Sequence, residues 1–167
     1  MPELLAADET KDVEYKSTAR WNVREAKKDK LMEDAVIKTV AAFLNTDGGT
    51  LLIGVRNDRT IHGLADDYAQ VKPANADGFV NWLDTMLETA IGKSAAARIS
   101  VRILETELSL GGGEVCRVDV PAASRPTWAK TSKQDRVFLR RRNNSTVAFT
   151  DDEQETLDEY IADRWQR

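Results

Sequence analysis

The sequence predicts an α+β domain in which helices pack on a mixed, largely antiparallel sheet. Three observations carry that expectation. The segment AFLNTDGGTLLIGV, Ala42 to Val55, joins an apolar helix to an apolar strand through a glycine turn. Two stretches repeat apolar residues at helical spacing, and several short strand-like runs are bounded by glycine or proline.

Residues 1 to 8 read as a lead-in. In KDVEYKS, Val13 and Tyr15 alternate with Glu14 and Lys16, the two-residue period of a short strand, so Glu14 and Lys16 share a face. STARWNVREAKKDK is polar and basic and reads as a surface loop. From Leu31, the positions Met32, Val36, Val40, Phe43 and Leu44 recur at helical spacing, which predicts a core-facing helix. Asn45, Asp47, Gly48 and Gly49 stop it, because glycine reaches left-handed backbone conformations at little steric cost.

TLLIGV is nearly continuous in apolar character, as expected of a strand covered on both faces, and Gly54 within it implies a bulge or a close backbone approach. Arg56 to Arg59 then turns the chain into a second short strand at Thr60 to Gly63. Pro73 to Gly78 breaks the chain. Phe79, Trp82, Leu83, Met86, Leu87, Ala90 and Ile91 trace a second amphipathic helix that ends near Gly92. RISVRILETELSL, a Gly111-Gly112-Gly113 turn and EVCRVDVP predict a hairpin. Ser124-Arg125-Pro126 is a loop, VFLRR a last strand, and Thr150 to Glu153 a capping box that opens a terminal helix over 151–167.

A chain of 167 residues with 41% hydrophobic and 31% charged content can bury a core without a covalent staple, and one domain over 1–167 is expected. Cys116 is the only cysteine and His62 the only histidine, which argues against a disulfide framework, a Cys/His zinc site and a Ser-His-Asp triad. Cys116 reads as a small buried hydrophobe, His62 as a turn residue, and Trp82 and Trp165 as core. No stretch resembles a membrane span or a signal peptide, so a soluble, cytoplasmic protein is expected.

Charge is unevenly placed. The net charge is -4, yet Arg125 to Arg142 holds seven bases against one acid, a local +6, and Asp151 to Arg167 holds seven acids against two bases, a local -5.

Two constellations bear on chemistry. Glu9, Glu14 and Lys16 fit a divalent-cation site for phosphodiester cleavage, with the lysine steadying a phosphate, or equally an ordinary surface ion pair. Arg20, Trp21 and Arg24, together with Trp128, Lys130 and Arg140 to Arg142, fit phosphate binding with base stacking, or a solvated face over core tryptophans. The glycine turn lies between a helix and a following strand, the reverse of the order in a phosphate-cradling loop, which counts against a P-loop.

The ordered blocks ETKDVEYKS, AAFLNTDGGTLLIGVRND, IHGL, NADGF and VFLRRRNNST resemble the Schlafen AlbA-2 domain, also described as a DNA-binding or divergent ATP-binding domain, over about residues 9 to 153. The resemblance implies a Schlafen-core-like fold acting on nucleic acid, RNA before DNA. In some members it implies an endoribonuclease that cuts structured RNA such as transfer RNA with Mg or Mn.

Two acids of the family's three-carboxylate site fall in an E-x-x-x-x-E-F/Y-K block that Glu9, Glu14, Tyr15 and Lys16 match. The third acid's position is Asn57 here, so the resemblance implies a metal set of Glu9, Glu14 and Asn57, with Asp58 substituting if the turn shifts by one residue. Arg141 takes the family's arginine position, and Asn143 stands where glycine is usual. The phosphate-binding set is then Arg20, Arg24, Lys130, Arg140 and Arg141. Two other expectations remain open: a nucleotide-sensing domain that holds a triphosphate near Asn57, and a homodimer joining the acidic terminal helix to the basic strand.

Overall fold

The computed structural model describes residues 1–6, 9–107 and 110–166; Ala7 and Asp8 of the lead-in, Leu108 and Ser109 of the expected strand, and Arg167 of the expected terminal helix lie outside the described residues. Along the chain come strands β1 (Val13–Lys16), β2 (Trp21–Asn22) and β3 (Lys27–Lys28), helix α1 (Lys30–Leu44) and strand β4 (Gly49–Ile53). Helices α2 (Ala65–Tyr68), α3 (Ala76–Ile91) and α4 (Lys93–Ala96) follow. The chain continues with strands β5 (Ser100–Glu105), β6 (Glu114–Val120), β7 (Leu139–Arg142) and β8 (Ser145–Ala148) and ends in helix α5 (Gln154–Trp165).

The main sheet has the order β1-β4-β6-β5. Its β1–β4 pair is parallel and the other two pairs are antiparallel, the mixed, largely antiparallel arrangement expected. A parallel pair needs a crossover connection, and here α1 supplies it. Asp29 caps α1 by accepting from Leu31 N at 2.9 Å. Val36, Val40, Phe43 and Leu44 are fully buried against Leu51, Ile53, Leu83 and Leu87.

The opposite face of the sheet buries Leu5, Tyr15, Leu52, Val55 and Val115. Cover on both faces explains the unbroken apolar run of TLLIGV. Part of that cover is a 3-10 turn, Pro2–Leu5, in what the sequence presents only as a lead-in. Tyr15 Oη ties it down by donating to Leu4 O.

The glycine turn is sterically fixed. Gly48 has φ +76°, and a Cβ on Gly49 would lie 2.5 Å from the Phe43 ring and 2.8 Å from Asp12 O. At Gly54 the expected close approach is to Gly63 O, which would sit 3.1 Å from an added Cβ. Thr60 to Gly63 forms one bridge, Val55 to Ile61, instead of the expected strand, because Gly54 and Gly63 both take positive φ and break the ladder. The β5–β6 hairpin forms as expected, with all three glycines of its turn at positive φ.

The expected last strand is followed by another. Asn143, at φ 57°, reverses the chain so that β8 pairs with β7. The short helices α2 and α4 and the two-residue ribbon β2–β3 are also additions, since elements this short carry no readable period. Glu153 accepts from Thr150 N at 2.8 Å at the expected capping box. No helix among the described residues is long and apolar enough to cross a membrane.

Helix α5 is held by aromatic contacts among Phe138, Phe149, Tyr160 and Trp165, with centroids 5.7–6.2 Å apart. Asn45, fully buried at the end of α1, joins these parts. Its amide donates to Thr127 O at 2.8 Å and Leu139 O at 2.9 Å, its Oδ1 accepts from Thr127 N at 2.8 Å, and its carbonyl accepts from Tyr160 Oη. Asn45→Ala strands three buried polar groups at about 1–3 kcal/mol each. It is expected to lower the unfolding free energy by about 3 kcal/mol or more, read as a shift in urea midpoint at constant slope.

Candidate nucleic-acid interface and buried carboxylate site

The two-residue period of β1 puts Glu14 and Lys16 on one face, with Lys16 Nζ 3.4 Å from Glu14 Oε1. The same carboxylate meets Arg141, whose Nη1 donates to Glu14 Oε2 at 2.8 Å. In β7, Leu139 and Arg141 are both buried, and the Arg141 side chain is 1% exposed. The same Nη1 also donates to Thr146 Oγ1 at 3.2 Å, Nη2 donates to Thr10 O at 2.5 Å, and Cζ lies 4.9 Å from the Phe43 ring. Arg141, expected from the sequence to bind phosphate, is turned into the protein and not toward solvent. Its charge is engaged inside the protein.

Glu9 stands beside this pair and accepts from Tyr15 N at 3.1 Å. Burial raises its pKa above the ordinary carboxylate value, and the neighbouring Glu14 adds to the shift against the opposing pull of the Tyr15 N–H and Lys16. The third expected position is elsewhere. Asn57 and Asp58 are exposed on the Arg56 to Arg59 turn, where Asp58 accepts from Thr60 N at 3.0 Å and Thr60 Oγ1 at 2.6 Å.

Among the described residues, no group of three His, Cys, Asp or Glu side chains is arranged to hold a metal ion. A set of Glu9, Glu14 and Asp58 is thus not assembled. Both Glu14 oxygens already face cations, and Glu9 lies within the field of the same Lys16. A hard dication seeks several anionic oxygens, and Glu14, already met by Lys16 and Arg141, offers it little free charge in this arrangement.

The expected phosphate-binding residues divide into two groups. Arg20 is largely covered: it donates to Gln70 O at 3.0 Å and lies 4.7 Å over the Trp82 ring. Arg140 is half-buried, 5.0 Å from the Phe149 ring and 5.5 Å from Tyr160. Arg24 and Lys130 are exposed. A groove of about 320 Å³ between α1 and α3 is lined by residues that include Lys30, Lys130, Glu33, Asp34, Trp82 and Met86. It brings Lys130 next to the start of α1, where the β2–β3 ribbon enters and where Lys27, Lys28 and Lys30 are exposed.

Those three lysines were not singled out in the sequence. Counting charge over Arg20 to Lys30 would have found them, since that stretch holds five bases against two acids. The inward direction of Arg141 was also available from the alternation Val137, Leu139, Arg141.

The family model for Schlafen, AlbA_2 matches residues 9–149. Among solved structures, the crystal structure of the DIP2311 protein from Corynebacterium diphtheriae is similar, with a TM-score of 0.57 at 18% identity. The likeness covers 96% of this chain and 31% of that one, so the chain spans about a third of that protein's length and shares its fold over that part.

Removing one partner of a buried ion pair leaves an uncompensated charge and costs about 3–5 kcal/mol. Arg141→Met and Glu14→Gln are each expected to destabilise by about that amount, and the double variant by clearly less than their sum. A double-mutant cycle in chemical denaturation measures the coupling.

Proposed function

The chain belongs to the Schlafen AlbA_2 family, and from that premise we propose that it is a nucleic-acid-binding domain, with RNA preferred over DNA, whose contact surface is the exposed cationic end formed by Arg24, Lys27, Lys28, Lys30 and Lys130. The observation that carries this reading is the sorting of cations. Arg141, Arg20 and Arg140 are engaged within the fold, whereas these five residues are exposed around one groove and ribbon. Exposed ammonium and guanidinium groups bind phosphates by releasing counterions, so a chain with net charge -4 still presents a local phosphate-binding surface.

Binding without cleavage is the form of the proposal that the carboxylate site favours. An endoribonuclease of the metal-assisted kind needs an unneutralised acidic cluster, and Glu14 is held between Arg141 and Lys16. The triphosphate reading draws less support, because Arg56 at the Asn57 turn already donates to Ile61 O at 2.9 Å and contacts His62 Nδ1 at 3.1 Å. A dimer between acidic α5 and the basic strand also draws less support, because Arg141 is turned inward and Arg140 is half-buried, which leaves Arg142 as the exposed arginine of β7.

Fluorescence anisotropy with labelled transfer RNA and a DNA duplex, each over a salt series, tests the reading. Binding is expected at about 50 mM salt and should fall linearly in log–log form, with a slope of about 0.9 per phosphate contact on B-DNA. Lys30→Gln and Lys130→Gln should each reduce that slope by about one contact. No binding at low salt would refute it. Incubation with magnesium or manganese is expected to yield no products, and cleavage abolished by Glu9→Gln would show that the protein is a nuclease after all.

A further inference from the structure

We propose that the β2–β3 ribbon is a preformed finger that docks in a groove of a base-paired nucleic acid, an inference that rests on the nucleic-acid reading above. Three independent features of the structure point to it.

The ribbon is rigid at its root and along its length. The buried Asp67 carboxylate accepts from the backbone N–H groups of Ala19, Arg20 and Trp21 at 2.7, 3.0 and 3.1 Å. Thr18 Oγ1 donates to Trp21 O, and Asp29 N donates to Arg20 O at 2.9 Å. Nearer the tip, Asn22 donates to Asp29 Oδ2 at 2.8 Å and accepts from Glu25 N at 3.0 Å. The strands pair Trp21 with Lys28 and Asn22 with Lys27, and Ala26 closes the turn at φ 51°. A segment ordered before contact loses little freedom on binding.

The tip has the chemistry of a groove contact. Arg24, Lys27 and Lys28 are exposed around Val23, which is 51% exposed and one of the two large hydrophobic residues most open to water. The acid at the tip, Glu25, is matched by Lys27 at 3.0 Å. Cations flanking an exposed valine suit phosphates on the rims of a groove and an apolar contact with sugar or base edge at its floor. A two-stranded ribbon fits a B-form major groove about 12 Å wide, and an A-form duplex offers its wide, shallow minor groove.

The aromatic rings favour a paired partner over an unpaired one. Single-stranded nucleic acid is gripped by stacking bases on exposed rings. Here arginines of the same chain lie over those rings: Arg20 over Trp82 at 4.7 Å, Arg136 over Trp128 at 4.1 Å, Arg140 over Phe149 at 5.0 Å and Arg164 over Trp165 at 5.5 Å. An unpaired base would have to displace a guanidinium to stack. Trp21, half-buried in β2, is the ring at the ribbon through which the opposite outcome would act.

The test uses the full chain and four labelled probes of one sequence: duplex RNA, duplex DNA, and the single strand of each. The expected result is tighter binding to a duplex than to its single strand, with the RNA and DNA arms identifying the duplex type. The combined variant Arg24→Gln, Lys27→Gln, Lys28→Gln should weaken duplex binding at least about tenfold at low salt and lower the B-DNA salt slope by about two to three. Trp21→Ala should change duplex binding by less than about twofold.

Melting temperatures check that the variants fold. Arg24→Gln alone, at the exposed tip, keeps the test decisive if the triple variant does not, and a several-fold loss is expected. If the wild type binds and the ribbon variants bind equally well, the finger is wrong and the nucleic-acid reading stands on Lys30 and Lys130 alone. If the wild type binds no probe, both fail. Single strands bound more tightly, with binding lost in Trp21→Ala, would overturn the base-paired partner.

Discussion

A guanidinium kept almost wholly out of water must find its partners inside the protein, and Arg141 finds Glu14, Thr10 and Thr146. These contacts tie β7, and through it the β7–β8 hairpin, to the edge strand β1 of the main sheet. The backbone of Arg141 also donates to Thr46 Oγ1 at 2.8 Å, which fixes the strand against the end of α1. The charge on β1 is thereby committed to architecture.

Asn45 does for the helix end what Arg141 does for the strand. Three separate parts of the chain converge on it, and each hydrogen bond replaces one that a loop or strand end would otherwise make with water. The glycine turn that follows is shaped by the same crowding, since Phe43 and Asp12 leave no room for a side chain at Gly49. Helix, turn and strand are thus a scaffold. The proposed contact surface is the ribbon that enters this scaffold at the start of α1.

What the sequence made legible follows from range. The periods of α1, α3 and the β5–β6 hairpin are local, and they appear where expected, as do the glycine turn and the capping box at Thr150. The mixed sheet was readable because TLLIGV is apolar on both faces. Burial that depends on distant partners was harder to see. Arg141 lies in a run of three arginines that reads as one basic patch, yet the strand divides it: Arg141 turns inward, Arg140 packs on aromatic rings and Arg142 is exposed. The two-residue strands of the ribbon have no period to read, so their lysines were visible only as charge. Asp58 was placed near Glu9 and Glu14 by resemblance alone, and its own turn holds it through Thr60.

The Asp67 clamp has a consequence for how such a domain diversifies. Its carboxylate grips only main-chain N–H groups, so this clamp reads the path of the chain at the ribbon root, while the side chains of Thr18, Arg20 and Asn22 add contacts of their own. Residues at the tip are then free to change under selection without loosening the core. If the ribbon is the finger proposed above, such a domain acquires a different target by rewriting a handful of codons between Val23 and Lys28.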